Sequence, residues 1–245
     1  MTVQNKVVFV TGAATGIGAE VCRAFASQGA KVAVCDINAE AGVALAEEIG
    51  GEFIGCDVTD FDRVEAAVAR CIKLLGVPDY AHLNAGIMTV PTNTPFLSIE
   101  DVTCAQYRKI VGVNLDGMFH GVKALIPHMR AGGGAITLTA STAGLSVLGI
   151  DPMYAATKHA VIGFGRAVAA ANELNDIRIN VICPGVVETA IVPDAFKAPE
   201  FNMMPPALMA AEIVDLLVSG ENGEVRVKNA ADVKGFAVAP QSESF

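Results

Sequence analysis

The chain has 245 residues, 52% hydrophobic and 18% charged, enough for a sizeable core in one large α/β domain or two small ones. Its formal net charge of −9 argues against a nucleic-acid partner, because an acidic surface repels phosphate backbones. No stretch of about 20 apolar residues lacks polar interruptions, and Met1 to Lys6 hold no basic region ahead of an apolar core. A membrane span and a secretory leader are therefore not expected, and a cytoplasmic location is the default. In chain order, residues 7–10 form a short β-branched strand that enters a glycine-rich turn at 11–18. A helical pattern follows to about residue 28 and stops at Gly29. Residues 31–36 read as a second strand, 40–49 as a second helix and 53–56 as a third strand. Thr59 offers a hydroxyl cap to a helix that reaches residue 75, with Asp60 and Asp62 in its first turn. Strand 79–83, helix 106–129, strand 135–139, helix 153–174, strand 177–183, helix 207–218 and strand 224–228 complete the series.

This alternation with short connections predicts an α/β fold: a doubly wound parallel sheet of seven strands with helices on both faces. No linker, repeat or composition shift divides the chain, so residues 1–245 are expected to form a single domain. Two stretches break the rhythm. Residues 88–103 form a longer loop, and residues 190–206 hold four prolines with apolar Ile191, Phe196, Phe201, Met203 and Met204. Long loops inside compact domains are commonly functional, and 190–206 is expected to be a lid over a pocket. The six cysteines make no C-x-x-C pair and the four histidines show no ligand spacing. The thiols are expected to be reduced and structural, and no metal site is expected.

Four features carry chemistry. The first is Gly12-x-x-x-Gly16-x-Gly18 between a strand and a helix. Glycines there let a ligand's phosphates approach backbone N–H groups at a helix N-terminus. The second is Asp36, which closes the next strand 20 residues after Gly16. A carboxylate at that place accepts hydrogen bonds from both hydroxyls of an adenosine ribose and repels a 2′-phosphate. No Arg or Lys follows in Ile37-Asn38-Ala39, so NAD is favoured over NADP. The third is a set of strand C-termini, where open parallel sheets bind ligands: Asp57-Val58, Asn84-Ala85-Gly86, Ser141 and Pro184-Gly185, with Thr189 four residues on. The fourth is Tyr154-x-x-x-Lys158, whose i,i+4 spacing puts a phenol and an amine on one helix face. A cation beside a tyrosine lowers its pKa, so the pair can move a proton on and off a substrate hydroxyl. Asn114 is a poor helix former inside the long helix, which hints at a specific use.

These motifs, in this order and spacing over about residues 6–227, resemble the short-chain dehydrogenase/reductase family, whose fold is Rossmann-like. The resemblance implies that Tyr154 is the acid/base, that Lys158 lowers its pKa and binds the nicotinamide ribose, that Ser141 orients the substrate oxygen, and that Asn114 helps to hold a water for proton relay. It implies cofactor contacts from Gly12, Thr15, Gly16, Ile17 and Gly18 to the pyrophosphate, and from Asp36 and Ile37 to the adenosine ribose. Asp57 and Val58 would surround the adenine, Asn84 and Gly86 line the cleft, and Pro184, Gly185, Val187 and Thr189 meet the nicotinamide end. It also implies a homo-oligomer, dimer or tetramer, built on the helices holding Asn114 and Lys158. The family's Asp-Gly-Gly turn after the seventh strand is missing, so the tail, residues 230–245, is expected to be loose or to cover a neighbouring subunit.

The expected activity is reversible hydride transfer between NAD and a secondary alcohol or ketone. The apolar residues Val147, Leu148, Met153, Ile191 and Phe196, with Met203, flank Ser141, Tyr154 and the lid, and they predict a mainly apolar substrate. An NADPH-dependent carbonyl reductase is the alternative within enzymes, and Asp36 opposes it. A dinucleotide sensor without turnover is the alternative outside them, and intact Ser141, Tyr154 and Lys158 oppose that.

Overall fold

The computed structural model describes residues 2–194, 197 and 203–240. Its strands are β1 (Val7–Thr11), β2 (Lys31–Asp36), β3 (Glu52–Gly55), β4 (Tyr80–Leu83), β5 (Gly134–Thr139), β6 (Ile177–Pro184), β7 (Val225–Lys228) and β8 (Phe236–Ala237). They form one sheet in the order β3-β2-β1-β4-β5-β6-β7-β8. The first seven strands are parallel, and β8 pairs antiparallel with β7. The sheet thus has eight strands where seven were expected. The extra strand is the tail: Val238 donates its N–H to the Val225 carbonyl, and Arg166 binds the Val238 carbonyl. What read as a loose or intersubunit segment lies on its own sheet edge, apart from residues 241–245, which fall outside the described residues.

Helices α1 (Gly16–Ala26), α2 (Ala39–Ile49) and α7 (Pro206–Ser219) cover one face, while α3 (Phe61–Leu74), α5 (Gly117–Met129) and α6 (Pro152–Ala171) cover the other. The two cores follow from composition. Strand β1 is buried along its whole length, as are seven of the eight residues of β6, all but Arg178. Strands buried on both sides need continuous apolar runs rather than alternation. Phe25, Ile213 and Leu216 fill one layer, and Val68, Leu125 and Val161 fill the other.

Two helix boundaries differ from the sequence expectation. Helix α3 is capped by Asp60, not Thr59: its carboxylate accepts from Asp62 N–H at 3.0 Å and Arg63 N–H at 3.4 Å. The hydroxyl of Thr59 instead donates to Asp57 at 2.8 Å. The long helix is not continuous either. It runs as α4 (Cys104–Val111), a π stretch (Gly112–Asp116) and α5. A π turn adds a residue to the hydrogen-bonded loop and is often found at functional sites; here it holds Asn114, which is fully buried.

Strand order reverses between β1 and β4, which carry the chain to opposite sides of the sheet. A crevice opens at such a point above the strand C-termini. Thr11, Asp36, Leu83, Thr139 and Pro184 all end their strands there.

Candidate active site

A cleft of about 550 Å³ lies in that crevice. Its floor is the glycine loop. Gly12 has φ +61, in the left-handed region, and a Cβ on it would sit 2.7 Å from the Cα of Ala85. A Cβ on Gly18 would sit 2.2 Å from the Gly12 carbonyl oxygen, so the third glycine lets α1 close on the loop. Gly18 acts by this packing and does not line the cleft. Thr15 stands at the N-cap of α1 but makes no side-chain cap bond, and the first turn carries no acid. The first N–H groups of α1 therefore face the cleft unmatched, an anion site formed by the backbone.

Asp36 lines the cleft beside this helix end. Its carboxylate is oriented by two backbone donors, Ala14 N–H and Asn38 N–H, each at 2.9 Å. Ile37, 76% exposed, forms the lip next to it. Asp57 and Val58 lie farther along the same wall. The hydroxyl and N–H of Thr59 hold the Asp57 carboxyl below the usual range. Asn84 bridges strands: its side-chain N–H donates to the Gly12 carbonyl at 3.0 Å, and its carbonyl accepts from the Thr139 hydroxyl at 3.3 Å. These residues fit a dinucleotide, with backbone donors for the phosphates and a fixed carboxylate for ribose hydroxyls.

At the other end, Ser141, Tyr154 and Lys158 line the same cleft, with Pro184, Gly185, Val187 and Thr189 opposite. Pro152 in the first turn of α6 and the Asp151 carboxylate at its N-cap start the helix two residues before Tyr154. Lys158 follows one turn later, nearly fully buried, its Nζ 5.5 Å from the Tyr154 ring centroid. Lys158 Nζ donates to the Thr139 carbonyl at 2.9 Å. Ser141 Oγ accepts from Ala143 N–H at 3.1 Å, which leaves its proton free to donate.

Burial sets the charge states. It pushes the Tyr154 phenol up to about 12; the nearby Ser141 hydroxyl acts the other way, and Asp151 and Cys183 add to the rise. Burial pushes the Lys158 amine down to about 8, with Cys183 opposing. Burial disfavours the charged form of both groups, so it raises the phenol and lowers the amine.

Asn114 does not line the cleft. Its side chain accepts from Ile87 N–H at 2.8 Å, donates to the Ile87 carbonyl at 2.9 Å and reaches the Thr157 hydroxyl at 3.2 Å. It therefore clamps the loop after β4 onto α6. Of the expected substrate residues, Leu148 and Ile191 line the cleft. Val147 is 96% exposed and does not, because the short helical turn Thr142–Gly144 and the bend after it aim it outward. Met153 is half-buried and also off the cleft, on a different face of α6 from Tyr154. Met203 lines an adjoining cavity of about 570 Å³ beside α1, which shares Thr15, Gly16, Thr189 and Ala190 with the cleft. Phe196 lies outside the described residues. Met88 and Val113, not expected from the sequence, line the cleft from the loop after β4 and the π stretch, and Val192 and Pro193 line it from the expected lid. Apolar residues in irregular segments carry no periodic signal that could have found them.

The family model for short chain dehydrogenases matches residues 6–200. Cyclohexanol dehydrogenase of Acinetobacter sp. (strain SE19) is 34% identical over 230 residues, covering 89% of this chain and 89% of that protein. The mitochondrial borneol dehydrogenase of Lavandula x intermedia is 34% identical over 195 residues, covering 78% and 73%. Among solved structures, a 3-ketoacyl-(acyl-carrier-protein) reductase from Brucella melitensis complexed with NADH superposes with TM-score 0.84 at 27% identity, covering 94% and 98%. Levodione reductase does so with TM-score 0.81 at 30% identity, covering 92% and 96%. The chain belongs to the short-chain dehydrogenase family. It is an oxidoreductase that takes a nicotinamide dinucleotide. Among the described residues no helix is long and apolar enough to cross a membrane, and no group of three or more side chains is placed to hold a metal ion.

Proposed function

We propose that the protein oxidises an apolar secondary alcohol, with the hydroxyl on an alicyclic ring, using NAD in a reversible reaction. The observation that carries this reading is the convergence of Ser141, Tyr154 and Lys158 on one end of a cleft whose other end holds Asp36. Leu148, Ile191 and Val192 give the reacting end an apolar wall. Relatives named for cyclohexanol, borneol and trans-4-hydroxycyclohexanecarboxylate support the ring. A carboxylate fixed at Asp36 has no place for a 2′-phosphate and supports NAD over NADP.

When bound, the nicotinamide supplies the hydride acceptor, and its positive ring favours a phenolate nearby. The Ser141 hydroxyl donates to the alcohol oxygen and fixes it beside Tyr154. The phenolate of Tyr154 takes the hydroxyl proton as the hydride leaves the same carbon. The alcohol becomes a ketone, and the proton remains on the phenol. Lys158 Nζ has one bond to Thr139 and further N–H groups for ribose hydroxyls. A Cβ on Gly86 would sit 3.4 Å from Lys158 Nζ and 3.5 Å from Asn114 Oδ1, so the two flank one small space, which we assign to a water that relays the proton. Ala190 to Pro193 line the cleft and support a lid in this segment, whose residues 195–196 and 198–202 lie outside the described residues; the apolar side chains exposed on α5, such as Phe119, support a homo-oligomer, dimer or tetramer.

The test is formation of NADH or NADPH over a panel of cyclohexanol, borneol, linear secondary alcohols and small hydroxy acids. The reading expects turnover of the ring alcohols with NAD, and a kcat/KM lower with NADP by about a hundredfold or more. Equal use of NADP, or activity confined to charged hydroxy acids, contradicts it.

A further inference from the structure

Asp151 does more than an N-cap requires. It is 3% exposed, and it takes part in no ion pair among the described residues. Three neutral donors serve its carboxylate. Oδ1 accepts from the Tyr154 N–H at 3.0 Å and from the Thr89 hydroxyl at 2.5 Å, and Oδ2 accepts from the Thr89 N–H at 3.0 Å. A cap alone needs one acceptor oxygen, and Ser or Asn supplies it without burying a charge. The second oxygen and the Thr89 hydroxyl serve a different purpose. Thr89 belongs to the loop after β4. Its neighbour Met88 lines the cleft, and the same loop meets the lid where Asp194 N–H donates to the Thr92 carbonyl at 3.3 Å.

We infer that Asp151 is a positioning residue that latches the loop after β4, through Thr89, onto the first turn of α6, and so sets Tyr154 against the substrate end of the cleft. The latch also carries a charge. The groups that act on the Tyr154 phenol are Ser141 after β5, Cys183 on β6 and Asp151 at the N-cap of α6, with Lys158 of α6 over its ring. Asp151 is the negative member of the set and opposes phenolate formation. One residue thus fixes the base in place and adds to the burial that disfavours its phenolate.

The kinetic arm of the test rests on Tyr154 as acid/base; the optical arm does not. The chain has three tyrosines and no tryptophan, so phenolate formation is readable by ultraviolet absorption, with Tyr154→Phe as the blank. In the full chain saturated with NAD, Asp151→Asn is expected to move the Tyr154 titration to lower pH, and Thr89→Val to leave it in place. With cyclohexanol as the probe, Thr89→Val is expected to lower kcat about tenfold with NADH affinity unchanged. Thr89→Ser, which restores the hydroxyl, is expected to recover the rate. The basic limb of kcat/KM in Asp151→Asn should shift in the same direction as the optical titration. An unmoved Tyr154 titration in Asp151→Asn overturns the charge role, and wild-type kcat in Thr89→Val overturns the latch. Asp151→Ser keeps the cap alone; if it folds and turns over like the wild type, the whole inference fails. An enzyme inactive on every alcohol while the optical shift is present defeats the functional reading and leaves the electrostatic link standing.

Discussion

At the scale of single residues, the site depends on groups whose charge is set by burial. With the phenol of Tyr154 pushed up to about 12, the fraction ionised grows throughout the working range. Alcohol oxidation needs the phenolate, so its kcat/KM is expected to rise steadily from pH 7 to about pH 10. Ketone reduction needs the phenol and is expected to stay flat or fall over the same range; a pH-independent oxidation rate contradicts the assignment. His82 is another buried titrating group. It sits on β4 with Nε2 3.4 Å from the Thr139 hydroxyl and Nδ1 without a partner, and burial pushes it down to about 3. A folded pKa below the unfolded 6.5 means that the unfolded chain binds the extra proton first. Stability is therefore full above pH 6.5 and lost as pH falls from there toward 3. Urea unfolding of His82→Phe is expected to show a shallower acid loss than the wild type, by a few kcal/mol at about pH 4. The placement of Asp36, Ser141, Tyr154 and Lys158 on one cleft was legible, because each sits near a strand end or one helical turn from its partner. Thr89, Asp151 and His82 were not legible, since their meaning comes from partners on distant strands and loops.

Helices and loops place these groups, and at two of them the structure departs from the pattern. The break in the long helix was hidden because residues 104–129 keep an apolar face throughout, and a π turn leaves no compositional mark. Asn114 alone hinted at it. Thr59 and Asp60 are both competent caps, and the choice between them was made by Asp57, which takes the threonine hydroxyl. The glycine loop, by contrast, lies between β1 and α1 as expected and lines the cleft through Gly12 and Gly16, and the structure adds the reason for its third glycine. Gly18→Ala puts a methyl 2.2 Å from the Gly12 carbonyl and must displace α1 or the loop. The expected outcome is a 10- to 100-fold weaker Kd for NADH, about 1.4–2.8 kcal/mol, measured by fluorescence titration. Gly163→Ala is the control, since nothing lies within 4 Å of its added carbon. Equal affinities for the two variants contradict the packing account.

Over the whole molecule, the parallel order and the crevice at β1 and β4 followed from the βαβ rhythm, whereas the eighth strand did not. Phe236–Ala237 is too short for a periodic signal, and it is fixed by contacts far away in sequence. The Gly235 N–H donates to Glu212 at 3.0 Å, and Arg166 holds the Val238 carbonyl at 2.9 Å. The tail thereby covers the edge of β7, which a long exposed strand would leave open to association. Removing residues 232–245 is expected to lower Tm by roughly 4–8 °C, as for a loss of about 2 kcal/mol in a domain of this size. Scattering at rising concentration is expected to show added self-association through the bared edge. An unchanged Tm and particle size contradict a structural role for β8.

Hydride transfer assisted by the Tyr154 phenolate is the claim on which the rest depends. Its most direct measurement is NADH absorbance during cyclohexanol oxidation at pH 9, wild type against Tyr154→Phe, with NADH affinity measured on both. The account predicts unaltered cofactor binding and a kcat lower by about 10²–10⁴-fold in the variant. A variant that oxidises the alcohol at the wild-type rate contradicts it.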